Sequence, residues 1–249
     1  MSTALPTRPV LHSEWIKIRS LRGSFTALIM ILASTVGIQT LTAAAIGQAE
    51  GGALGEDPLF AAYYGIFWGQ IAAMAFGTTA LSAEFHNGAL RTSLAAVPNR
   101  TRFYLSKMAV IGGLALLVGQ VTGVLTFVAG QAAMGPYALH LGDPGSYRAI
   151  VGSGLYLTLI ALFAAGLTAL LRSGALVLSL LIPLFLMVSF IVGAATGGVA
   201  EFLPDRAGQL VMHSQAGGHL GPWSGLGVLT LWAGAALAGG WLAVRRRAA

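Results

Sequence analysis

Apolar residues come in six long runs, and polar residues are confined almost wholly to the segments between them. The runs cover roughly residues 25–46, 60–81, 108–134, 149–171, 175–195 and 223–244. At about 1.5 Å per residue, some 20 helical residues cross a hydrocarbon core of roughly 30 Å. No Asp, Glu, Lys or Arg stands in the middle of any run, where each would cost about 2.5–3.5 kcal/mol to insert. The pattern predicts an all-α polytopic membrane protein, a single transmembrane domain over residues 1–249 with six transmembrane helices. Only Leu171-Arg172-Ser173-Gly174 separates the fourth and fifth runs, which predicts a tight helical hairpin. Pro183 sits inside the fifth. It lacks a backbone donor and crowds the preceding turn, so that span is expected to kink or to leave a carbonyl free. A functional hinge and an ordinary packed kink are both open there.

Two amphipathic stretches lie outside the runs. Over residues 10–24, Leu11, Trp15, Ile18 and Leu21 recur at helical spacing, with Glu14, Lys17 and Ser20 on other faces. Trp15 beside Lys17 and Arg19 suits a helix lying in the headgroup plane. It reads either as an elbow that leads into the first span and offers a basic face to a partner, or as a simple interfacial anchor. Residues 82–107 form the longest basic loop. Asn87-Gly88 signals a turn, and residues 89–97 predict a short helix with Leu90, Leu94 and Val97 on one stripe. Pro98 ends it, and Asn99 is placed to cap a helix continuing into the third span. A short helix held between two spans suits the transmission of force from a partner. A basic loop that only fixes topology is the alternative.

Composition sharpens the class. Hydrophobic residues make up 56% and charged residues 9%, with a mean hydropathy of +0.77; soluble domains average about 25% charged. No stretch between the runs is long enough for a soluble catalytic domain. The formal net charge is +6, and its distribution has direction. Arg8, Lys17, Arg19 and Arg22 precede the first run, and Arg91, Arg100, Arg102 and Lys107 lie between the second and third. Arg172 lies between the fourth and fifth, and Arg245, Arg246 and Arg247 follow the sixth. Only Arg148 and Arg206 fall in the alternate segments, which hold Glu50, Glu56, Asp57, Asp143, Glu201 and Asp205. The bias predicts both termini in the cytoplasm of a multi-pass protein of the cytoplasmic (inner) membrane. It accounts for the basic charge without nucleic acid. The first run, about 22 residues, exceeds the roughly 7–15 of a signal-peptide core, so it is read as a retained span.

Candidate chemistry is sparse. There is no cysteine, no Gly-x-x-x-x-Gly-Lys-Ser/Thr loop, no His-Glu-x-x-His and no Gly-x-Ser-x-Gly. His213 and His219 lack a third ligand nearby and read as loop histidines, not a zinc site. No catalytic or metal-binding residue is assigned. Gln70, Gln120, Gln131, hydroxyls and Pro183 in the span interiors are a poor basis for ion-coupled secondary transport, which usually places ionisable groups at the midplane. Residues 196–222 read as an amphipathic segment with short helices and glycine hinges that caps the outer mouth.

The sequence Glu14-Trp15-Ile16-Lys17-Ile18-Arg19-Ser20 ahead of the first span resembles the start of type-2 ABC transporter permeases. So does Glu84-x-x-x-Gly88-x-x-Arg91-x-x-Leu94-x-x-x-Pro98-x-Arg100, ending in Lys107 before the third span. Ala89 departs from the pattern, which usually has Thr there. The resemblance implies an N-terminal interfacial elbow helix, with Trp15, Lys17 and Arg19, and a short cytoplasmic coupling helix between spans 2 and 3. Glu84, Gly88, Arg91, Leu94, Pro98, Arg100 and Lys107 would couple it to a separate ATPase subunit, which would carry ATP and Mg. It further implies an exporter of two such subunits, a second copy or a related chain, in which nucleotide closure pushes the short helix and spans 1, 2 and 5 rearrange. The outer segment over residues 196–222 would dip back toward the membrane as a gate. Arg100, Arg102 and Lys107 have another reading, contact with acidic lipid headgroups. A secondary transporter, a membrane-embedded enzyme and a non-catalytic membrane anchor are the alternative functions.

Overall fold

The computed structural model describes residues 7–20, 22–49, 57–85, 89–97, 99–215 and 218–246. All regular structure among them is helical. The helices are α1 (Thr7–Ser20), α2 (Arg22–Gln48), α3 (Pro58–Ala61), α4 (Ile66–Ser82), α5 (Ala89–Ala96), α6 (Arg100–Met134), α7 (Ser146–Leu171), α8 (Gly174–Pro183), α9 (Ser189–Thr196), α10 (Pro204–Gln209) and α11 (Pro222–Arg246). Among the described residues, six helical stretches are long and apolar enough to cross a membrane: Arg22–Gln48, Ile66–Phe85, Arg100–Tyr137, Ser146–Leu171, Gly174–Gly193 and Pro222–Arg246. The chain is an all-α polytopic membrane protein.

Helix α7 is the centre of the bundle and packs against α4, α6 and α11, while α2 packs against α4 and α6. Water cannot drive helices together inside lipid, so close van der Waals approach must do so. Small residues supply it. A Cβ added to Gly77 of α4 would lie 2.1 Å from the Ala161 carbonyl oxygen of α7. At Gly119 and Gly123 of α6 it would lie 2.7 Å and 2.6 Å from the carbonyl oxygens of Gly154 and Ile150. The α7–α11 crossing is as close, with the Gly166 Cβ position 2.6 Å from Ala236.

Several details refine the sequence expectations. Helix α6 begins at Arg100, about two turns before the apolar run, because Asn99 caps it by accepting a hydrogen bond from the Arg102 amide (3.0 Å). Between α7 and α8, Arg172 adopts a left-handed conformation (φ 55°) and Ser173 caps α8 at the Leu176 amide, which closes the hairpin.

The second span is not continuous over residues 60–81, as its hydropathy suggests. Helix α3 gives way to a turn before α4 starts at Ile66. The cause is Gln39 of α2, fully buried. Its Oε1 accepts from the Gly65 amide and its Nε2 donates to the Ala61 carbonyl, both at 3.1 Å. Those are the two groups that an unbroken helix would join to each other. A side-chain amide has been inserted into the ladder. Gly65 and Gly69 let α2 approach this closely: a Cβ at Gly65 would meet the Thr35 carbonyl oxygen at 2.1 Å.

In the fifth span, Pro183 is followed by a π-helical turn, Leu184–Val188. Val177, Leu181, Phe185 and Ser189 all face inward. A four-residue spacing drifts roughly 40° per step on an α-helix, and the wider π turn absorbs part of that drift.

The stretch from Ala200 to Met212 does not simply cap the bundle. Ala207, Val211 and Met212 are fully buried, and α10 and the following turn Leu210–Met212 pack on α7 and α11. Gly208 lies against Tyr156 and Leu229, and the Ala207 carbonyl lies against Gly225. The segment is therefore inserted between the ends of these two helices.

Candidate functional site

Helix α1 meets α2 and α6 near their N-terminal ends. Its inward residues are Glu14 and Ile18, both buried, while Trp15 is 42% exposed. This corrects the sequence expectation, which put Glu14 and Lys17 away from the packed face. The reason is that their partners lie inside. Glu84, in the short 3-10 turn that ends the second span, is also buried, and Lys107 of α6 has 0% exposure.

These four residues form one cluster. The Lys107 ammonium lies 2.8 Å from Glu84 Oε1 and 2.8 Å from Glu14 Oε2; the second contact is an ion pair without hydrogen-bond geometry. Lys17 Nζ lies 2.7 Å from Glu14 Oε1 and 3.2 Å from Glu84 Oε1. It also donates to Ser93 Oγ of α5 (3.0 Å), and Ser93 in turn donates to Glu84 Oε2 (2.8 Å). Two carboxylates balance two ammonium groups. Partial burial works against the Lys17 charge, but the hydrogen bonds and field of Glu14 and Glu84 carry its pKa above the usual lysine value.

The cluster joins four elements: the elbow α1, the end of the second span, the short helix α5 and the start of α6. Arg91 and Leu94 fall on α5 and Arg19 on α1, whereas Gly88 and Pro98 lie outside the described residues. Arg100 donates to the Val244 carbonyl of α11 (3.2 Å), Tyr104 donates to the Leu237 carbonyl (2.9 Å), and Trp241 donates to Thr101 Oγ1 (3.0 Å). The start of α6 is thus also fastened to the end of α11. Lys107 has no exposed surface, so it is not placed to meet a lipid headgroup; it is an internal anchor for Glu84 and Glu14. Among the sequence candidates, Glu84, Lys107 and Lys17 come together. Glu14 and Ser93 were missed as members. The available signal was a lysine in the last turn before an apolar run, which requires a carboxylate nearby.

The opposite end of the bundle has its own fastening. Asp57 caps α3 through the Phe60 amide (3.1 Å) and accepts from the Ser214 amide (3.1 Å) and the Ser214 hydroxyl (2.5 Å). His213 Nδ1 lies 2.9 Å from Asp57 Oδ2, and its ring stacks on Phe60 with centroids 4.0 Å apart. Partial burial pushes the Asp57 carboxyl up, but the Ser214 and Phe60 donors outweigh it and leave its pKa below the ordinary value. Arg148 at the start of α7 donates to the carbonyls of Val211 (3.2 Å) and His213 (2.5 Å). The inserted segment is therefore tied at its exit to both α3 and α7. No family model matches this chain, and no curated protein matches it.

Proposed function

We propose that the chain is the permease subunit of a type-2 ABC exporter in the cytoplasmic membrane, with both termini cytoplasmic. A separate ATPase, carrying ATP and Mg, drives it, and a second permease subunit completes the pathway. The observation that carries this reading is the ion cluster. Helix α5 is a short amphipathic helix between two spans. Through Ser93 it is tied to Glu84, and through Glu84 to both lysines. A push on α5 therefore has a rigid route into α1, α4 and α6. A loop that served only to fix topology would need none of these buried charges, each of which costs several kcal/mol to dehydrate before pairing repays it. The charge bias of the loops supports the orientation.

The test is capture from native membranes. The tagged protein is solubilised in mild detergent and its companions are identified by mass spectrometry, beside an Arg91→Glu, Leu94→Asp variant of α5. A P-loop ATPase retained by the parent and lost by the variant is the expected result. Absence of any such ATPase across several detergents would overturn the assignment.

A further inference from the structure

A cavity of about 620 Å³ lies between the second span, the latter half of the fifth and the inserted segment. Its volume is within the roughly 300–1,000 Å³ of small-molecule sites. Phe60, Phe67 and Phe185 supply aromatic wall. The polar lining is built in rather than scattered on a surface: Asp205 is 3% exposed and Gln209 5%. Asp205 Oδ1 accepts from Ser189 Oγ at 2.7 Å, which holds the carboxylate against the fifth span. Gln209 Nε2 donates to Tyr156 OH (3.2 Å), and that hydroxyl donates to Gln70 Oε1, so a chain of three buried polar side chains backs the cavity. At the end of this chain the Gln70 Nε2 is buried with no partner among the described residues. Among the described residues, two carboxylates, Asp205 and Glu201, line the space beside the guanidinium of Arg206, which lies along Gly193.

We propose that this cavity binds an amphipathic organic cation, with its apolar body against Phe60, Phe67 and Phe185 and its charge toward Asp205. Aromatic faces attract a cation through their quadrupole as well as through area. An organic anion of the same shape would bring a third negative charge beside Asp205 and Glu201. A neutral hydrocarbon would cover the buried carboxylate without compensating it. That the bound cation is transported cargo rests on the permease reading above; the binding itself does not.

Equilibrium dialysis on the purified full chain in detergent tests this with an isosteric pair of opposite charge, tetraphenylphosphonium and tetraphenylborate, with triphenylphosphine oxide as the neutral probe. The parent is expected to prefer the phosphonium to the borate by about tenfold or more. Asp205→Asn keeps the acceptor for Ser189 and is expected to remove most of that preference. Phe67→Ala is expected to weaken both ions together. Glu201→Gln provides a second charge variant should Asp205→Asn fail to elute as a folded species. Equal binding of the two ions by the parent overturns the proposal. So does an unchanged preference in a folded Asp205→Asn protein. The permease is tested without its ATPase, so loss of ATPase capture and loss of cation selectivity are separate failures.

Discussion

An ammonium group with no exposed surface persists only where carboxylates replace its water. Lys107 has two, and its removal leaves both buried with Lys17 as their only cation in the cluster. Breaking a buried pair from one side costs about 3–5 kcal/mol. Lys107→Met is therefore expected to lower the thermal unfolding temperature of the detergent-solubilised protein sharply. Adding Glu14→Gln should recover part of the loss, since the two sites share one network; additive losses would show that the pairing is incidental. Asp57 sets an acid limit at the other end. Its folded pKa lies below the ordinary value, which is about 4, so its contribution is complete above that value. It fades as pH falls through the lower folded pKa. Thermal melts of the parent are expected to show a loss of stability below about pH 4 that is smaller in Asp57→Asn, which is less stable at neutral pH.

At the scale of elements, the six spans and the capped start of α6 were legible because burial in lipid needs only length and apolarity, and Asn99 is a local cap. The break in the second span was not. Hydropathy records that Gln39 and Gly65 are tolerated in apolar runs, but not that one inserts beside the other, since that depends on how α2 crosses α4. The same limit hid Ser93 in the ion cluster and let the Ala200–Met212 stretch read as an outer cap, although Ala207 and Gly208 are small enough to slip between α7 and α11. Pro183 signalled an irregularity, but its form, a π turn that keeps Phe185 and Ser189 inward, follows from packing. The Gln39 insertion makes a direct prediction. Gln39→Leu cannot bridge Ala61 and Gly65, so hydrogen exchange at the Gly65 amide is expected to change by more than at any amide of α7. Stability should fall by about 1–3 kcal/mol if those groups stay unpaired. Unaltered exchange at Gly65 would mean that the break is imposed by something other than Gln39.

For the whole molecule, the distribution of arginine and lysine predicts which end faces the cytoplasm. The chain contains no cysteine, so single cysteines can report sidedness without a background. Thr92 on α5 and Gln215 beyond the inserted segment are both exposed. In intact cells a membrane-impermeant maleimide is expected to label Gln215→Cys at once and Thr92→Cys only after permeabilisation. The reverse order would invert the topology and with it the proposed placement of α5 on the side of an ATPase partner.

The ion cluster also imposes an order on synthesis. Glu14 and Lys17 leave the ribosome first, Glu84 follows after the second span, and Lys107 comes last, at the threshold of the third. At about 5–20 residues per second, Glu14 waits on the order of 5–20 s for its second cation. For most of that interval Lys17 faces Glu14 alone, and from the appearance of Glu84 until that of Lys107 it must serve two carboxylates. A nascent chain halted before Lys107 is expected to keep α1 open to protease, while one extended through α6 is expected to shield it. The fourth charge would then act as a checkpoint, locking the amino-terminal part of the protein only once all four elements are present to be joined.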